Sequence, residues 1–299
     1  MKFLVTLFVS LSLLVSSVFG LSYNAYVPTG SDHDGYAAVD SAENLYLSIS
    51  NRYGGNSHVA VFDSNLTELR TINTVADASE GPIAIYNDEL YAVGGNFWAG
   101  SSPTGPFAKY NLNGDLLETY DNLGSTWDFL VSSSGTLRAT HTGVYSNNYF
   151  GTGNFSLGGF IQEERLARGE NDSFFYLSDP SAKKIHKFDS SGNVIWESSL
   201  NFNPWDIELV GDRLIATVAN GSQRVMILDD SSGLVLGGVD LSITATNLAA
   251  TENYLYISGI GGTAVYDSED FATVVPEPST YALLLGGTVL GYAFWRRRK

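Results

Sequence analysis

Residues 187–196 read Lys-Phe-Asp-Ser-Ser-Gly-Asn-Val-Ile-Trp, and this stretch decides the fold. Apolar and polar residues alternate before Asp189, which is typical of a strand with one buried face. The following Asp-Ser-Ser-Gly-Asn segment has the residue types that form tight turns. Val194, Ile195 and Trp196 then favour a second strand. The stretch therefore predicts a β-hairpin.

Related hairpins recur along the chain in two alternating kinds. The kind just quoted returns at 61–69, 109–117, 227–236 and, more weakly, 265–271, and a degenerate copy is expected near 154–160. The other kind has an Asn, Asp, Gly or Ser turn between two apolar strands. It is found at 37–47, 83–93, 129–139, 169–177, 211–216 and 252–257. Because such turns join antiparallel neighbours, each pair of hairpins predicts a four-stranded unit.

The pair of hairpins repeats about every 40 residues, which is typical of one blade of a β-propeller. The six units start near Ala37, Ile83, Phe129, Leu166, Asp206 and Leu248. We therefore predict an all-β, six-bladed β-propeller over residues 21–274. A strand at 21–27 precedes the first unit, and we expect it to complete the last blade, so that the ring has no free edge.

The turns with an aromatic residue, Asp and a later Gly resemble those of NHL and quinoprotein-like propellers. The segment 188–196 is the nearest copy of that pattern. The resemblance spans the whole middle of the chain. It implies a fold and carries no information on chemistry, since propellers support many functions.

The N-terminal segment has the pattern of a secretory signal. Lys2 is followed by an apolar run from Phe3 to Phe19, and Gly20 is a small residue at a plausible cleavage point. We expect residues 1–20 to be a removable signal peptide; an uncleaved N-terminal anchor is the alternative.

The C-terminal segment, 275–299, combines three parts in order. The sorting motif candidates are Pro276, Glu277 and Pro278; a short apolar stretch at 281–295 follows, and the basic tail contains Arg296, Arg297 and Arg298. Fifteen residues are fewer than the roughly 20 that a spanning helix needs. The basic tail should stay on the cytoplasmic side.

This tail resembles the PEP-CTERM sorting signal of Gram-negative bacteria. The resemblance covers about 25 residues and implies an address. It implies an exosortase-type processing enzyme as partner and transient anchoring in the inner membrane by the C-terminal hydrophobic helix. It also implies a final location at the cell surface or in an extracellular matrix of polysaccharide or biofilm.

Composition excludes several classes of function. The net charge is −16 with 32 acidic residues, so the surface should repel nucleic acid. There is no cysteine, which excludes disulfides, thiolate metal sites and cysteine nucleophiles. We expect a monomer.

No known catalytic or cofactor motif is present. The four histidines are far apart, phosphate loops and dinucleotide fingerprints are missing, and the Asp turns do not have the spacing of a calcium loop. The Asp32-His33-Asp34 cluster could bind a metal, but a solvated loop before the first blade explains it better. The Asp turns are better explained by hydrogen bonds to their own backbone. We assign no catalytic residue, metal or cofactor.

Aromatic residues in the predicted loops suggest a binding face. Rings with Asn, Asp and Ser around them suit sugars and protein interfaces. Trp127 and Trp205 could instead pack between blades. The candidates are Tyr53, Phe97, Trp98, Tyr145, Tyr149, Trp127, Asp128, Trp205 and Asp206.

Three functions remain open from the sequence. The first is a non-catalytic scaffold that binds a glycan or protein at the cell surface. The second is an enzyme of lactonase, lyase or glycosidase type, because Asp128, Asp206 and Asn247 begin innermost strands and could converge at the central channel. The third is a structural matrix protein without a ligand.

Overall fold

The structure is a computed structural model. It describes residues 23–30, 36–49, 58–74, 81–93, 107–120, 126, 128–133, 135–140, 143–147, 153–158, 165–218, 224–259 and 261–272. For 27–30, 140, 143–147, 153–158 and 261 it describes the backbone alone. The predicted signal peptide, 1–20, and the predicted sorting segment, 275–299, lie outside the described residues.

Strands make up most of the described chain. The strands are β1 (Ala25–Gly30), β2 (Ala37–Val39), β3 (Leu45–Ile49), β4 (His58–Phe62), β5 (Glu68–Asn73), β6 (Ile83–Tyr86), β7 (Glu89–Val93), β8 (Phe107–Asn111), β9 (Leu116–Tyr120), β10 (Asp128–Ser132), β11 (Gly135–Thr140), β12 (Gly143–Asn147), β13 (Gly153–Gly158), β14 (Arg165–Arg168), β15 (Phe174–Asp179), β16 (Lys184–Asp189), β17 (Val194–Ser199), β18 (Pro204–Val210), β19 (Arg213–Val218), β20 (Arg224–Asp229), β21 (Val235–Asp240), β22 (Asn247–Ala250), β23 (Tyr254–Gly259) and β24 (Gly261–Asp267). A 3₁₀ turn, η1 (Glu170–Asp172), and one short helix, α1 (Glu269–Ala272), complete the described elements.

The strands form six antiparallel four-stranded sheets, which we call blades one to six from their innermost strands β2, β6, β10, β14, β18 and β22. Each innermost strand contacts the innermost strands of two other sheets, and these contacts join β2, β6, β10, β14, β18 and β22 into a closed ring. This is the arrangement of a β-propeller, so the all-β propeller prediction is confirmed.

The ring is closed by the N-terminal strand, as the sequence predicts. Strand β1 pairs antiparallel with β24, and Ala25 lies opposite Val265. The sixth sheet therefore combines the first strand of the chain with the last three. The weak hairpin predicted at 265–271 is wrong: β24 ends at Asp267 and α1 follows, because the fourth strand of this blade comes from the other end of the chain.

The third blade corrects a second prediction. Its outer hairpin is not a degenerate copy near 154–160. Strands β12 (143–147) and β13 (153–158) pair antiparallel, with Val144 opposite Leu157 and a shift of register between Ser146 and Asn147. The pairing with β11 holds β12 in the sheet even though no Asp-containing turn marks this hairpin.

The Asp turns are built by local hydrogen bonds, which confirms the predicted backbone role. One carboxylate oxygen of Asp189 accepts hydrogen bonds from the backbone N–H groups of Ser191 (2.9 Å) and Asn193 (2.8 Å). Asp63 does the same for Asn65 and Thr67. Gly192 has a φ of 86°, a conformation that glycine adopts without steric cost. The recurrence of Asp in these turns thus follows from turn geometry.

Packing between blades relies on a small residue opposite a tyrosine. An innermost-strand alanine faces a buried tyrosine of the second strand in blades one, two, four and six: Ala38–Tyr46, Ala84–Tyr91, Ala167–Tyr176 and Ala249–Tyr256. The alanine leaves space for the ring, as interdigitated cores require. The tyrosine hydroxyls find polar partners. That of Tyr256 donates to the carbonyl oxygen of Glu43 at 2.7 Å, which ties blade six to blade one.

A candidate functional site in the central channel

The innermost strands start at one end of the channel, which we call the upper mouth. Six residues occupy equivalent positions there, because each directly precedes an apolar residue that pairs in the innermost strand of its blade: Tyr36, Pro82, Asp128, Arg165, Asp206 and Asn247. Hydroxyl groups of the second strand fix several of them. The backbone N–H groups of Tyr36, Arg165 and Asp206 donate to Ser48, Ser178 and Thr217, at 3.0, 3.1 and 2.8 Å.

Asp128 and Asp206 link neighbouring blades. In Asp128, Oδ1 accepts the N–H of Phe129 at 2.9 Å, and Oδ2 accepts the N–H of Leu166 in the next blade at 2.7 Å. Asp206 repeats the arrangement: Oδ1 accepts from Ile207 at 3.0 Å, and Oδ2 accepts from Leu248 at 2.6 Å. Each carboxyl group thus binds the innermost strands of two blades, and both are buried.

Arg165 lies between these two carboxyl groups in the ring, because β14 is flanked by β10 and β18. Its guanidinium carbon is 4.6 Å from the ring centre of Tyr36 and 5.6 Å from that of Trp205. Tyr36 precedes β2, which is opposite β14 in the ring. The side chain of Arg165 therefore reaches across the upper mouth, and only 7% of the residue is exposed.

Three channel carboxyl groups have raised pKa values. Burial raises the pKa of Asp128 to about 6, against the opposing charge of Arg165. Burial and then the charge of Asp128 raise the pKa of Asp206 to about 7. Burial and then the charge of Asp206 raise the pKa of Glu208, two residues along β18, to about 8. Proton binding at these groups is therefore coupled and falls near neutral pH.

Below the upper mouth lies a cavity of about 310 Å³, bordered by all three carboxyl groups. Arg168, at the other end of β14, also borders it. The Arg168 guanidinium carbon is 4.8 Å from the ring centre of Tyr86, Nε is 3.3 Å from an oxygen of Asp172, and one terminal nitrogen donates to the carbonyl of Val131. The two ends of a single four-residue strand thus place an arginine near each end of the channel.

The donor set does not form a metal centre. Among the residues that the structure describes, no group of three or more His, Cys, Asp or Glu side chains could hold a metal ion. The carboxylate oxygens of Asp128 and Asp206 are occupied by backbone N–H groups. What this arrangement can do is hold the blades together and exchange protons.

The structure brings together part of the set predicted from sequence. Asp128 and Asp206 converge at the upper mouth, as expected, and Asn247 begins β22 and is buried. Trp205 is half-buried beneath Arg165, and its carbonyl accepts a 2.6 Å hydrogen bond from Ser178, which favours packing between blades four and five. The predicted residues Tyr53, Phe97, Trp98 and Trp127 lie outside the described residues.

Tyr145 and Tyr149 do not share one loop, which corrects the predicted segment 141–151. The backbone of Tyr145 is in β12 and pairs with Arg138 and Ser156. Tyr149 lies outside the described residues, between the end of β12 and the start of β13 in the sequence. The β-forming Val-Tyr pair extends the strand where a loop was expected.

Four channel residues were missed from the sequence: Tyr36, Arg165, Arg168 and Glu208. Arg165 could have been found, because it precedes Leu166 just as Asp128 and Asp206 precede their own strand residues. A charged residue directly before an apolar strand, at the same position of each repeat, was the indication that Arg165 belongs to the channel. Glu208 interrupts an apolar strand and is a second one.

Comparison with known proteins identifies the C-terminus. A family model described as the PEP-CTERM protein-sorting motif matches residues 274–299. The chain ends in a PEP-CTERM sorting motif. The motif implies an exported protein that is processed by exosortase. Its residues Pro276, Glu277, Pro278, Arg296, Arg297 and Arg298 are outside the described part of the structure. Within that part, no helix has both the length and the hydropathy of a membrane span.

The fold is similar to that of solved propellers. The WD40 β-propeller domain of Doa1 shares 13% identity over 77% of both chains, with a TM-score of 0.55. BamB from Moraxella catarrhalis shares 14% identity over 77% of this chain and 81% of that chain, with a TM-score of 0.49. The first likeness supports the propeller fold of the PEP-CTERM protein and nothing beyond it. No curated protein matches the chain.

Proposed function

We propose that this exported PEP-CTERM protein is a non-catalytic binding scaffold of the cell surface or extracellular matrix, and that its propeller binds a glycan or a protein. The sorting motif supports export, and the sheets of the propeller supply the frame for a binding face. A signal peptide at 1–20 and anchoring in the inner membrane before processing belong to the same proposal.

The observation that carries the proposal is the use of the carboxyl groups at the upper mouth. Asp128 and Asp206 each accept two backbone hydrogen bonds, one of them from the neighbouring blade. Arg165 lies across the mouth on two aromatic rings. These contacts serve the closure of the ring, so the place where a propeller enzyme would collect its reactive groups is used for structure.

The proposed binding residues follow the second strands of blades one and two in the sequence. Strands β3 and β7 end at the upper mouth, and the residues that follow them in the sequence, 50–57 and 94–106, are the ones that we propose to bind. They contain Tyr53, Phe97 and Trp98, beside several Gly, Asn and Ser residues. Aromatic rings stack on the apolar faces of sugars or anchor protein interfaces, and the small polar groups take hydrogen bonds.

The test is retention on extracellular polysaccharide of protein purified from cells that export the full chain. Replacement Trp98→Ala should reduce retention at least about ten-fold, since aromatic anchors dominate such contacts. Tyr23→Ala is the matched control, because Tyr23 is an exposed aromatic residue (40%) beside the outer strand of blade six. Equal retention of wild type and the Trp98 variant would remove the role proposed for this face.

A second candidate function is a propeller enzyme of lactonase, lyase or glycosidase type. It is favoured by the raised pKa values of Asp206, about 7, and Glu208, about 8, beside a cavity of about 310 Å³. A carboxyl group that is protonated near neutral pH can act as a general acid. Turnover of lactone or glycoside substrates that is lost in Glu208→Gln, with the fold intact, would favour this function over the scaffold.

A further inference from the structure

A second cleft, of about 450 Å³, lies on the outer part of blade two, well outside the residues expected to bind. It is on the side of the sheet that packs against blade three through Phe107 and Phe129. Its volume falls in the range of about 300–1,000 Å³ that is typical of small-molecule sites. Its walls consist of three tyrosines, two glutamates, one lysine and one asparagine: Tyr86, Tyr91, Tyr120, Glu89, Glu118, Lys109 and Asn87.

The polar groups of this cleft are held by one another. Lys109 Nζ is 3.2 Å from Glu89 Oε1 and 4.0 Å from Glu118 Oε2. The hydroxyl of Tyr91 donates to Glu89 at 2.9 Å, and that of Tyr120 donates to Glu118 at 2.7 Å. Each glutamate is thus positioned by a lysine and a tyrosine while it still borders the cavity.

Blade four has a corresponding row of side chains on neighbouring strands, but there the next blade covers the row and leaves it closed. Register places Tyr176, Lys187 and Trp196 side by side there. Lys187 Nζ binds Asp230 of blade five at 2.7 Å, and the indole N–H of Trp196 donates to the carbonyl of Asp230 at 2.8 Å. A Cβ placed on Gly233 would be only 2.7 Å from the Trp196 ring, so the turn of blade five fits tightly over this row.

Blade two departs from this closed form at two positions. In the row Tyr91–Lys109–Glu118, a glutamate stands where blade four has Trp196. The first residue of the second strand is Glu89, where blade four has Phe174. Lys109 therefore binds carboxylates of its own blade, whereas Lys187 lies 3.8 Å from the Phe174 ring centre and reaches the next blade. At the cleft, blade two therefore has hydrogen-bonding side chains at two positions where blade four has aromatic rings.

We propose that this cleft binds a neutral pyranose unit of an extracellular glycan. This inference rests on the proposed scaffold function and names a site for it. The half-buried ring of Tyr120 offers a surface for the C–H face of the sugar. Tyr86, whose ring has Arg168 over one face, also borders the cleft. Glu89 and Glu118 accept hydrogen bonds from sugar hydroxyls, and Lys109 and the exposed Asn87 donate to them.

The charge of the site selects a neutral sugar. Two glutamates and one lysine leave the cleft with one net negative charge, on a chain whose formal net charge is −16. A uronic acid polymer would be repelled by both. We therefore expect binding of neutral hexose chains and weak or no binding of polyuronates.

The experiment is calorimetric titration of the exported protein with cellotetraose, mannotetraose and tetragalacturonate. Glu118→Ala should weaken binding of the neutral tetrasaccharide about ten-fold or more, since it removes a charged acceptor. Tyr120→Ala should do the same by removing the ring. The side chain of Glu118 is 53% exposed, so Glu118→Ala leaves the core intact. Tyr120→Ala also removes the contact of Tyr120 with Phe107 and can lower stability, so Glu118→Ala is the variant that isolates binding.

Glu197→Ala is the matched control. Glu197 is also an outer-strand glutamate paired with a lysine, Lys184, at 2.6 Å, but it is outside the cleft. Its replacement should leave binding unchanged. Glycan binding that is equal in wild type and in both cleft variants would overturn the cleft while leaving the scaffold function in place. Binding of protein partners but of no neutral glycan would also overturn the cleft alone, and preference for tetragalacturonate would overturn the charge argument.

Discussion

Replacement Glu208→Gln should change how stability depends on pH. Glu208 borders the central cavity, and its pKa of about 8 compares with an ordinary value of 4.5. Between these values the folded protein keeps a proton that the unfolded chain has lost. The stabilising effect of this proton is complete below pH 4.5 and is lost as pH rises to about 8.

The size of the effect follows from the shift. One proton corresponds to about 1.4 kcal/mol per pH unit, so 3.5 units give at most about 5 kcal/mol in the free energy of unfolding. This is a large part of the roughly 5–15 kcal/mol that stabilises a domain. Glutamine has nearly the same size and no proton to lose. The stability of Glu208→Gln minus that of wild type should therefore increase with pH across this window.

The assay is urea unfolding followed by tryptophan fluorescence at intervals from pH 4.5 to 8.5. The lowered pKa of His186, caused mainly by burial, gives wild type an opposite slope below its ordinary 6.5, but this contribution is common to both proteins and cancels in the difference. Asp189→Asn is the control, because hydrogen bonds from Asn193 lower the pKa of Asp189, so that its contribution is lost only as pH falls below its ordinary 3.8, and Asn111 makes the same turn bonds in blade two. Parallel curves for wild type and Glu208→Gln would refute the burial argument.

Three further substitutions test the packing of the ring. Arg165→Met should destabilise the fold more at pH 8 than at pH 5, because Asp128 and Asp206 are ionised at the higher pH and the variant has no cation beside them. An equal loss in the free energy of unfolding in urea at both pH values would contradict this. Tyr256→Phe should cost about 1 kcal/mol, since its hydrogen bond to Glu43 joins the last blade to the first, and thermal unfolding would measure it. Gly233→Ala should cost more than about 1 kcal/mol, because φ is +71° and the new Cβ would meet the Trp196 ring at 2.7 Å; unchanged denaturant midpoints would show that the turn can shift.

The fold could be predicted because its turns are local. The hydrogen bonds of Asp189 to Ser191 and Asn193 lie within one pentapeptide, and their residue types are visible in the sequence. The outer hairpin of blade three has no such turn, and its strand β12 is held by pairing with β11 and β13. Pairing between strands is a tertiary effect, which explains why the segment that contains Tyr145 was predicted as a loop.

The channel was less predictable than the fold. Asp128 and Asp206 were placed correctly from the repeat, but their bonds to Leu166 and Leu248 depend on how neighbouring blades meet. Arg165 follows two glutamates in sequence and has the local pattern of a solvated charge. Only closure of the ring turns it inward onto Tyr36. The cleft of blade two likewise depends on a comparison between blades, which requires the strand register.

The pairing of β1 with β24 has a consequence for the order of events during synthesis and transport. Ala25 is among the first residues of the propeller to be made, yet its partner, Val265, is made 240 residues later. Every other blade can form from a continuous piece of chain, whereas the sixth must wait for both termini. Closure of the ring therefore depends on one very long-range contact, and the loop-closure cost of that contact makes it a late and slow step.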